Sequence, residues 1–186
     1  MRRRPFNQVY VFRHVAVSDA CKEAFHAEAS TLIGRTVYRV HPTLEEAPHV
    51  TDCLTSIHYL FKKALQIEIE LTWIGDMPRE LAKRPKEWKI LLLDRQDAQF
   101  GDILFTKHSK RRKRLSHVGM IFGPNTIFHC SSELKTAQVV EDKEFFASYE
   151  QVLSLEEALR YIDPRNIEER TKHRGLFMEN GCLEEA

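Results

Sequence analysis

The chain has 186 residues, of which 30% are charged and 42% are hydrophobic, with seven Gly and seven Pro. This length buries a core without disulfides or a structural metal, and this composition excludes collagen-like and wholly disordered proteins. The longest aliphatic run, Ile90 to Leu93, is far shorter than the roughly 20 apolar residues that cross a bilayer. The sequence therefore predicts no membrane span and one domain over residues 1–165, with a tail over 166–186 that frays.

The N-terminus and the cysteines indicate a reducing compartment. Met1 to Arg4 is basic, like the start of a secretory signal, but polar residues interrupt the stretch that follows. No C-x-x-C pair suggests zinc, and the four cysteines are too widely spaced for a disulfide framework. We therefore expect free thiols, no metal or other cofactor, and a cytoplasmic location. The cysteines are Cys21, Cys53, Cys130 and Cys182.

The positive charge of the chain is local. The 28 basic and 27 acidic residues give a net charge of +1. Six basic residues lie within eight positions, and without them the chain has 22 basic residues and a net charge of −5. This basic loop is either a solvated loop or a binding site for an anionic ligand. Its residues are Lys107, Lys110, Arg111, Arg112, Lys113 and Arg114.

The N-terminal half is mainly helical. Weak alternation over Gln8–Val11 predicts an edge strand, and a helix begins at Ser18-Asp19 and ends at Gly34. The segment Thr36–Val40 is predicted to be extended. A second helix follows, with Thr51 or Asp52 as its cap. Its predicted buried positions are Leu54, Ile57, Leu60, Phe61, Ala64 and Leu65.

The second half changes to strands. A short helix is predicted over 78–84, and apolar or alternating segments separated by turn residues then predict an antiparallel meander. Its strands cover 88–93, 102–106, 116–122, 126–130 and 137–140. The capping box Ser154 to Glu157 begins a last helix that Pro164 ends, and residues 170–186 are predicted to fray.

Three residues together suggest nucleophilic catalysis. Cys53 is predicted at a helix N-terminus, where the partial positive charge of the helix lowers the pKa of a thiol. Alternation places His117 on one face of its strand together with Gly119 and Ile121, from where it could point at a packed helix end. His129 lies on the next strand and could orient His117. Taken singly, each has a simpler interpretation, as a buried cysteine or a hydrogen-bonded histidine.

These residues resemble the NlpC family of cell-wall cysteine peptidases, which belong to the papain-like clan. The clearest match is Asp-Cys at the start of a helix that ends in Lys62-Lys63-Ala64, followed by a Gly-Asp strand and a Ser-His-Val-Gly strand. The matching segments keep the family's order over residues 34–140. They are Gly34–Tyr38, Asp52–Ala64, Met77–Arg79, Gly101–Phe105, Ser116–Gly123 and Phe128–Cys130.

The resemblance implies an α+β, papain-like fold with N-terminal helices packed on a central antiparallel sheet and a helical C-terminal tail. It implies that Cys53 is the nucleophile, His117 the general base and His129 the residue that orients it. The Cys53 amide and the Tyr38 hydroxyl would stabilise the oxyanion.

The reaction implied is hydrolysis of a γ-D-glutamyl to diaminopimelate bond in a peptidoglycan peptide, through a thioester. Asp52 would recognise a substrate amine as well as cap the helix, and Arg79 would serve a substrate carboxylate or a surface ion pair. The family has Ser-Gly after Asp-Cys, whereas this chain has Leu54-Thr55. This difference affects the seating of the substrate more than the chemistry.

Two other functions stay open. Acyl transfer or amidase chemistry uses the same Cys and His pair, and an apolar Leu54 at the cleft suits an apolar acyl chain. A binding module without catalysis would use the basic loop on nucleic acid or anionic lipid, although no aromatic residue interleaves that loop.

Overall fold

The computed structural model of the chain describes residues 8–69, 73–75, 77–108 and 116–151. The helices are α1 Lys22–Leu32, α2 Cys53–Leu65, α3 Met77–Ala82 and α4 Asp142–Ser148. The strands are β1 Gln8–His14, β2 Val37–Tyr38, β3 Val50–Thr51, β4 Trp88–Asp94, β5 Ile103–His108, β6 His117–Gly123, β7 Thr126–Ser131, β8 Thr136–Glu141 and β9 Tyr149–Gln151.

Within those ranges, seven strands form one antiparallel sheet in the order β4-β1-β5-β6-β7-β8, with β9 pairing β5. Each of the five predicted strands has bounds within two residues of the expected ones. The predicted meander is confirmed for β5 to β8, but its first strand, β4, is wrong as a neighbour of β5 because β1 lies between them. A short parallel pair, β2 and β3, lies outside this sheet. The fold class is the predicted α+β arrangement with helices on a central antiparallel sheet.

Strand β1 is not the edge strand that the sequence predicted, because it lies between β4 and β5. Phe12 pairs with Ile90 of β4 and with Ile103 of β5. Val9 and Val11 are buried in one apolar cluster and Tyr10 and Phe12 in another. A strand covered on both faces has apolar side chains at successive positions. This explains why the alternation of β1 is too weak to identify its position.

The sheet has two covered faces. Helices α1 and α2 pack on the face that carries Val118, Met120 and Phe122 of β6, which we call the α2 face. Helix α4 packs on the opposite face, the α4 face, where Phe145 contacts the ring of His117. The strand alternation predicted these two sets of β6 residues correctly. The large apolar residues of β6 are buried against α2, and the expectation that His117 can point at the Cys53 end of that helix stays a prediction.

Helix α2 forms where its pattern predicts it. Asp52, and not Thr51, is the N-cap, and Gln66 ends the helix in the left-handed conformation with φ 59°. The predicted positions Leu54, Ile57, Leu60 and Phe61 are buried, and Ala64 and Leu65 are partly buried.

Several predictions lie outside the described residues. These are the helix from Ser154 to Pro164, the tail over 166–186, and the basic residues of 110–114. Lys107 is in β5, and its backbone pairs with Glu150 of β9. Helix α4 and strand β9 were not predicted. None of the helices in the described ranges is long and apolar enough to cross a bilayer.

Candidate active site

Cys53 is the first residue of α2, and its side chain is 6% exposed. The carboxylate of Asp52 holds the helix start in place. Its Oδ1 accepts hydrogen bonds from the backbone N–H groups of Leu54 at 3.0 Å and Thr55 at 2.7 Å. These are two of the donors that a helix N-terminus leaves without intrahelical partners, so the cap fixes the backbone that carries the thiol.

The second oxygen of Asp52 anchors a loop beside the thiol. Asp52 Oδ2 accepts a hydrogen bond from the backbone N–H of His41 at 3.2 Å. The same loop is closed by an ion pair between Arg39 and Glu46, and Glu46 also accepts the backbone N–H of Thr43 at 2.8 Å. Asp52 therefore joins the helix start to the 39–46 loop.

The surroundings of the Cys53 thiol favour its protonated form. Burial raises its pKa well above the ordinary value, and the neighbouring Asp52 carboxylate raises it further. Hydrogen bonds from the backbone N–H groups of Val118 and Leu54 lower the pKa, but by less than burial raises it. The expectation that the helix end would lower the pKa of the thiol is therefore wrong for the resting site, because desolvation of a thiolate outweighs the helix end.

The Cys53 thiol contacts strand β6 at the peptide that joins His117 to Val118. The Val118 N–H that faces the sulfur belongs to that peptide. Both residues of this peptide pair in register with β5, whereas the pairs of β6 with β7 begin at Met120. The first peptide of β6 thus lies next to the predicted nucleophile and carries the predicted base, although α2 packs on one face of the sheet and the His117 ring contacts Phe145 on the other.

His117 and His129 are bonded to each other on the α4 face. His117 Nε2 lies 2.9 Å from His129 Nδ1, and both side chains are buried. The ring of Tyr149 stacks on that of His117 with centroids 4.1 Å apart and an interplanar angle of 11°. Phe145 contacts both imidazole rings. This aromatic wall restricts the imidazoles to one orientation.

A glycine makes room for the wall. A Cβ at Gly119 would lie 2.8 Å from Ile127 Cγ2 and 3.0 Å from the Phe145 ring. Real Cβ atoms do not approach other atoms this closely, so Phe145 reaches the imidazoles only because position 119 has no side chain.

His129 is uncharged at neutral pH. Burial lowers its pKa to about 4, against a smaller opposite effect of Glu133. Its second ring nitrogen, Nε2, lies 3.0 Å from the side-chain amide of Gln138. Residues 129 and 138 are direct partners in the ladder between β7 and β8. The predicted orienting residue is thus itself held by a group on the next strand.

Tyr38 lies close enough to Cys53 for the two side chains to interact electrostatically. Burial raises the pKa of its hydroxyl, and the electrostatic effects of the Cys53 sulfur and the Asp52 carboxylate raise it further, so the hydroxyl keeps its proton. Its position is fixed because β2 pairs Tyr38 with Thr51 and the Tyr38 N–H donates to the Lys135 carbonyl at 2.9 Å.

Cys130 lies on the α2 side of the site. Its thiol is 3.4 Å from the Thr51 hydroxyl, which is 3.0 Å from that of Thr36. Burial raises the pKa of Cys130 to about 11, so it is a neutral thiol in a buried hydrogen-bonded chain. It has the environment of a packing residue, in contrast to Cys53 at its helix end.

The remaining predicted groups are less defined. Arg79 lies in α3, its side chain is not among those described, and its role stays a prediction. Within the described ranges, no group of three or more His, Cys, Asp or Glu side chains is arranged to hold a metal ion. The sequence analysis missed Gln138, Phe145 and Tyr149. Only Gln138 had a signal, since pairing the two predicted strands across their turn places it opposite His129.

The solved structures that the chain resembles include three proteins of the NlpC or NLP/P60 type. NlpC1 from Trichomonas vaginalis aligns over 72% of this chain with a TM-score of 0.52 and 18% identity, and NlpC2 from the same organism over 76% with 0.51 and 20%. A lipoprotein-like protein of the NLP/P60 family from Staphylococcus aureus aligns over 76% with 0.50 and 16%. The chain has an NlpC/P60-type fold.

The likeness is one of fold. The chain spans 43%, 48% and 44% of these three structures, less than half of each. No protein-family model and no curated protein matches the sequence.

Proposed function

We propose that the chain is a cysteine peptidase that hydrolyses the γ-D-glutamyl to diaminopimelate bond of peptidoglycan stem peptides. The observation that supports this most strongly is the meeting of the Cys53 thiol with the peptide between His117 and Val118, while His117 is bonded to His129. A thiol beside an imidazole that a third group orients is the arrangement of cysteine nucleophiles. The resemblance of the motifs to those of the NlpC family supports the choice of substrate.

The first step moves a proton, because Cys53 begins as a neutral thiol. As the sulfur attacks the γ-carbonyl carbon, His117 Nδ1 takes the thiol proton, and the Nε2–H of the resulting imidazolium donates to His129 Nδ1. The carbonyl oxygen becomes an oxyanion. The backbone N–H of Cys53 and the hydroxyl of Tyr38 donate hydrogen bonds to it.

The C–N bond then breaks. The imidazolium gives its proton to the leaving amine of diaminopimelate, and the glutamyl group remains on Cys53 as a thioester. A water molecule gives a proton to His117 and attacks the thioester carbonyl. The C–S bond breaks, the sulfur recovers its proton from His117, and the γ-carboxylic acid leaves and loses the second proton of the water to solvent.

Asp52 has room for one further donor. Its Oδ1 accepts two backbone N–H groups and its Oδ2 one, so Oδ2 retains an acceptor position for a substrate ammonium. Leu54 cannot supply the hydroxyl that the related motif has at this place. We therefore propose that Asp52 alone holds the amine and that a free and an acylated N-terminus are only weakly distinguished.

The test is mass spectrometry of a muropeptide mixture incubated with the wild type and with Cys53→Ala. The wild type is expected to release L-Ala-γ-D-Glu from stem peptides, and Cys53→Ala is expected to release none. Cleavage at another bond would replace the substrate assignment, and equal cleavage by both proteins would overturn the role of Cys53.

Thiol acyl transfer is the second candidate, and exposed apolar side chains favour it. Val37, Val40 and Leu134 are 59 to 60% exposed on segments next to Tyr38, and Trp73, 59% exposed, contacts the ring of His41. The amide of His41 binds Asp52, so this apolar surface adjoins the Cys53 end. Such a surface suits an acyl chain better than a polar stem peptide.

Acyl transfer and hydrolysis are separated by one comparison. The wild type is incubated with a long-chain acyl thioester and an amine acceptor, and separately with the stem peptide. Acylated Cys53 and acylated amine, with the stem peptide intact, would favour acyl transfer. Hydrolysis of the stem peptide without amine acylation would favour the peptidase.

A further inference from the structure

Three buried or partly buried side chains form a continuous hydrogen-bonded chain across neighbouring strands. Gln138 of β8 is bonded to His129 Nε2 at 3.0 Å, and His129 Nδ1 is bonded to His117 Nε2 at 2.9 Å. The three belong to the α4 face, and the ladder places 138 directly opposite 129. This series of hydrogen bonds therefore runs perpendicular to the strands and ends at His117, the base in the proposed function.

This series of hydrogen bonds constrains which ring nitrogens of His117 and His129 carry a proton. A neutral imidazole has one N–H donor and one acceptor nitrogen, so the partner at one nitrogen determines what the other can do. Since His117 Nε2 is bonded to His129, Nδ1 is the nitrogen of His117 that can serve the thiol. To take the thiol proton at Nδ1, His117 must carry its own proton on Nε2.

The position of the proton on His117 determines, through His129, which atom of Gln138 must face His129. A proton on His117 Nε2 requires His129 Nδ1 to accept, which requires the proton of His129 to lie on Nε2. That N–H then needs an acceptor, and the amide oxygen of Gln138 is the acceptor at this position. The same holds after proton transfer, because the imidazolium of His117 donates from both nitrogens.

The side-chain amide of Gln138 can also take the opposite orientation, with its nitrogen towards His129. In this structure the amide nitrogen of Gln138 is the atom nearest to His129 Nε2. An N–H that donates there leaves the His129 proton on Nδ1 and the His117 proton on its own Nδ1. His117 then faces the thiol as a donor and cannot act as a base. A half-turn of the amide exchanges its oxygen and nitrogen and reverses every proton position.

We propose that Gln138 is a positioning residue of the active site, whose amide orientation selects the tautomer of His129 and, through it, whether His117 can act as a base. This inference rests on the proposed function for the use of the base, but not for the tautomers. In the active setting, the oxygen of Gln138 accepts from His129 Nε2.

The variants separate hydrogen bonding from packing. Gln138→Glu keeps the length of the side chain and offers only acceptors, so it holds the active setting. Gln138→Met keeps the length and offers neither donor nor strong acceptor. Gln99→Met makes the same change at an exposed position and is the matched control. Wild type and variants are compared by the rate of Cys53 alkylation by iodoacetamide against pH, by kcat and KM, and by ¹⁵N NMR of the histidine ring nitrogens.

Gln138→Met is expected to slow Cys53 alkylation at pH 7 and to lower kcat by about 10-fold to 100-fold with little change in KM, as loss of an outer hydrogen-bond partner does elsewhere. Gln138→Glu is expected to keep both rates, with a proton on His129 Nε2 in the NMR spectrum and the acid limb of the alkylation profile moved to higher pH. Gln99→Met is expected to match the wild type.

Identical alkylation profiles and identical ring-nitrogen spectra in the wild type, Gln138→Met and Gln138→Glu would overturn the proposal. A Gln138→Glu variant as slow as Gln138→Met would also overturn it, since an acceptor would then not suffice. Alkylation and NMR need no substrate. A result in which these change as expected while no stem peptide is cleaved would therefore count against the proposed substrate and leave the role of Gln138 intact.

Discussion

The two faces of the sheet contribute different halves of the candidate site. The α2 face carries the proposed nucleophile at a helix end, held by short-range contacts, since Asp52 caps the two amides that follow Cys53. The α4 face carries the proposed base, held by long-range contacts with His129 and Tyr149, and His129 in turn is held by Gln138. The two halves adjoin where β6 begins, at the Val118 N–H that faces the Cys53 sulfur.

Burial acts on both halves and drives both towards their neutral forms. It raises the pKa of the Cys53 thiol and lowers that of His129 to about 4. Burial thus disfavours both the thiolate of Cys53 and the imidazolium of His129. In the proposed function, the charge needed for attack is therefore created by proton transfer from Cys53 to His117.

The largest effect is expected on the α2 face. Cys53→Ala removes the nucleophile and should lower the hydrolysis rate by about 10⁴-fold or more. Cys130→Ala is the matched control, because it removes a buried thiol from the same face without removing the nucleophile, and it should retain activity. Rates are measured by product release on stem peptides. Comparable losses in both variants would break the distinction between the two thiols.

On the α4 face, His117→Ala should lower the rate by about 10² to 10⁴-fold, the usual contribution of a general base. His129→Ala should lower it less, since His129 acts through His117. His49→Ala, at an exposed position, serves as the control. Steady-state kinetics measure all three, and a larger loss in His129→Ala than in His117→Ala would reverse the assigned roles.

The contrast between the faces also explains what the sequence can predict. The α2 half is local, because a cap, a cysteine and an apolar helix pattern lie within thirteen residues of one another, and the helix, its cap and its buried face are confirmed. The α4 half depends on pairing between strands. Strand positions predicted that His117 and His129 lie on neighbouring strands, whereas no local pattern indicates that Tyr149 stacks on His117.

Two features could not be predicted from the sequence, and each has a physical reason. Strand β1 has apolar residues at successive positions because both its faces are covered, so a pattern of period two could not show that it lies inside the sheet. The charge state of Cys53 depends on its burial, which the helix position alone does not reveal. The roles of Arg79 and of the basic loop stay predictions.

Stability should depend on pH through the α4 face. The pKa of His129 is about 4 in the folded chain, against an ordinary 6.5. The unfolded chain therefore takes up this proton first as pH falls, so the contribution is present above pH 6.5 and is lost as pH falls towards 4. Its size is at most about 3 kcal/mol. Unfolding free energies at pH 7 and pH 4.5 should differ more in the wild type than in His129→Gln, and equal differences would contradict the buried neutral imidazole.

A smaller effect is expected from the glycine that seats the aromatic wall. Gly119→Ala places a methyl group against Ile127 and Phe145, and such overpacking typically costs about 1 to 3 kcal/mol. Denaturant unfolding should show this loss, together with a lower kcat from displaced imidazoles. Gly34→Ala is the comparison, because its Cβ would meet no atom within 4 Å and only its φ of 67° opposes the change. Unchanged stability and kcat in Gly119→Ala would mean that Phe145 does not hold the imidazoles.

The central claim is that His117 on one face activates Cys53 on the other. The most direct measurement is the rate at which iodoacetamide alkylates each cysteine at pH 7, followed by peptide mass spectrometry in the wild type and in His117→Ala. Cys21 and Cys130 serve as internal references in the same samples. His117→Ala is expected to slow alkylation of Cys53 by about 10-fold or more while the reference thiols keep their rates. An unchanged rate at Cys53 would contradict it, because the imidazole would then have no influence on the thiol.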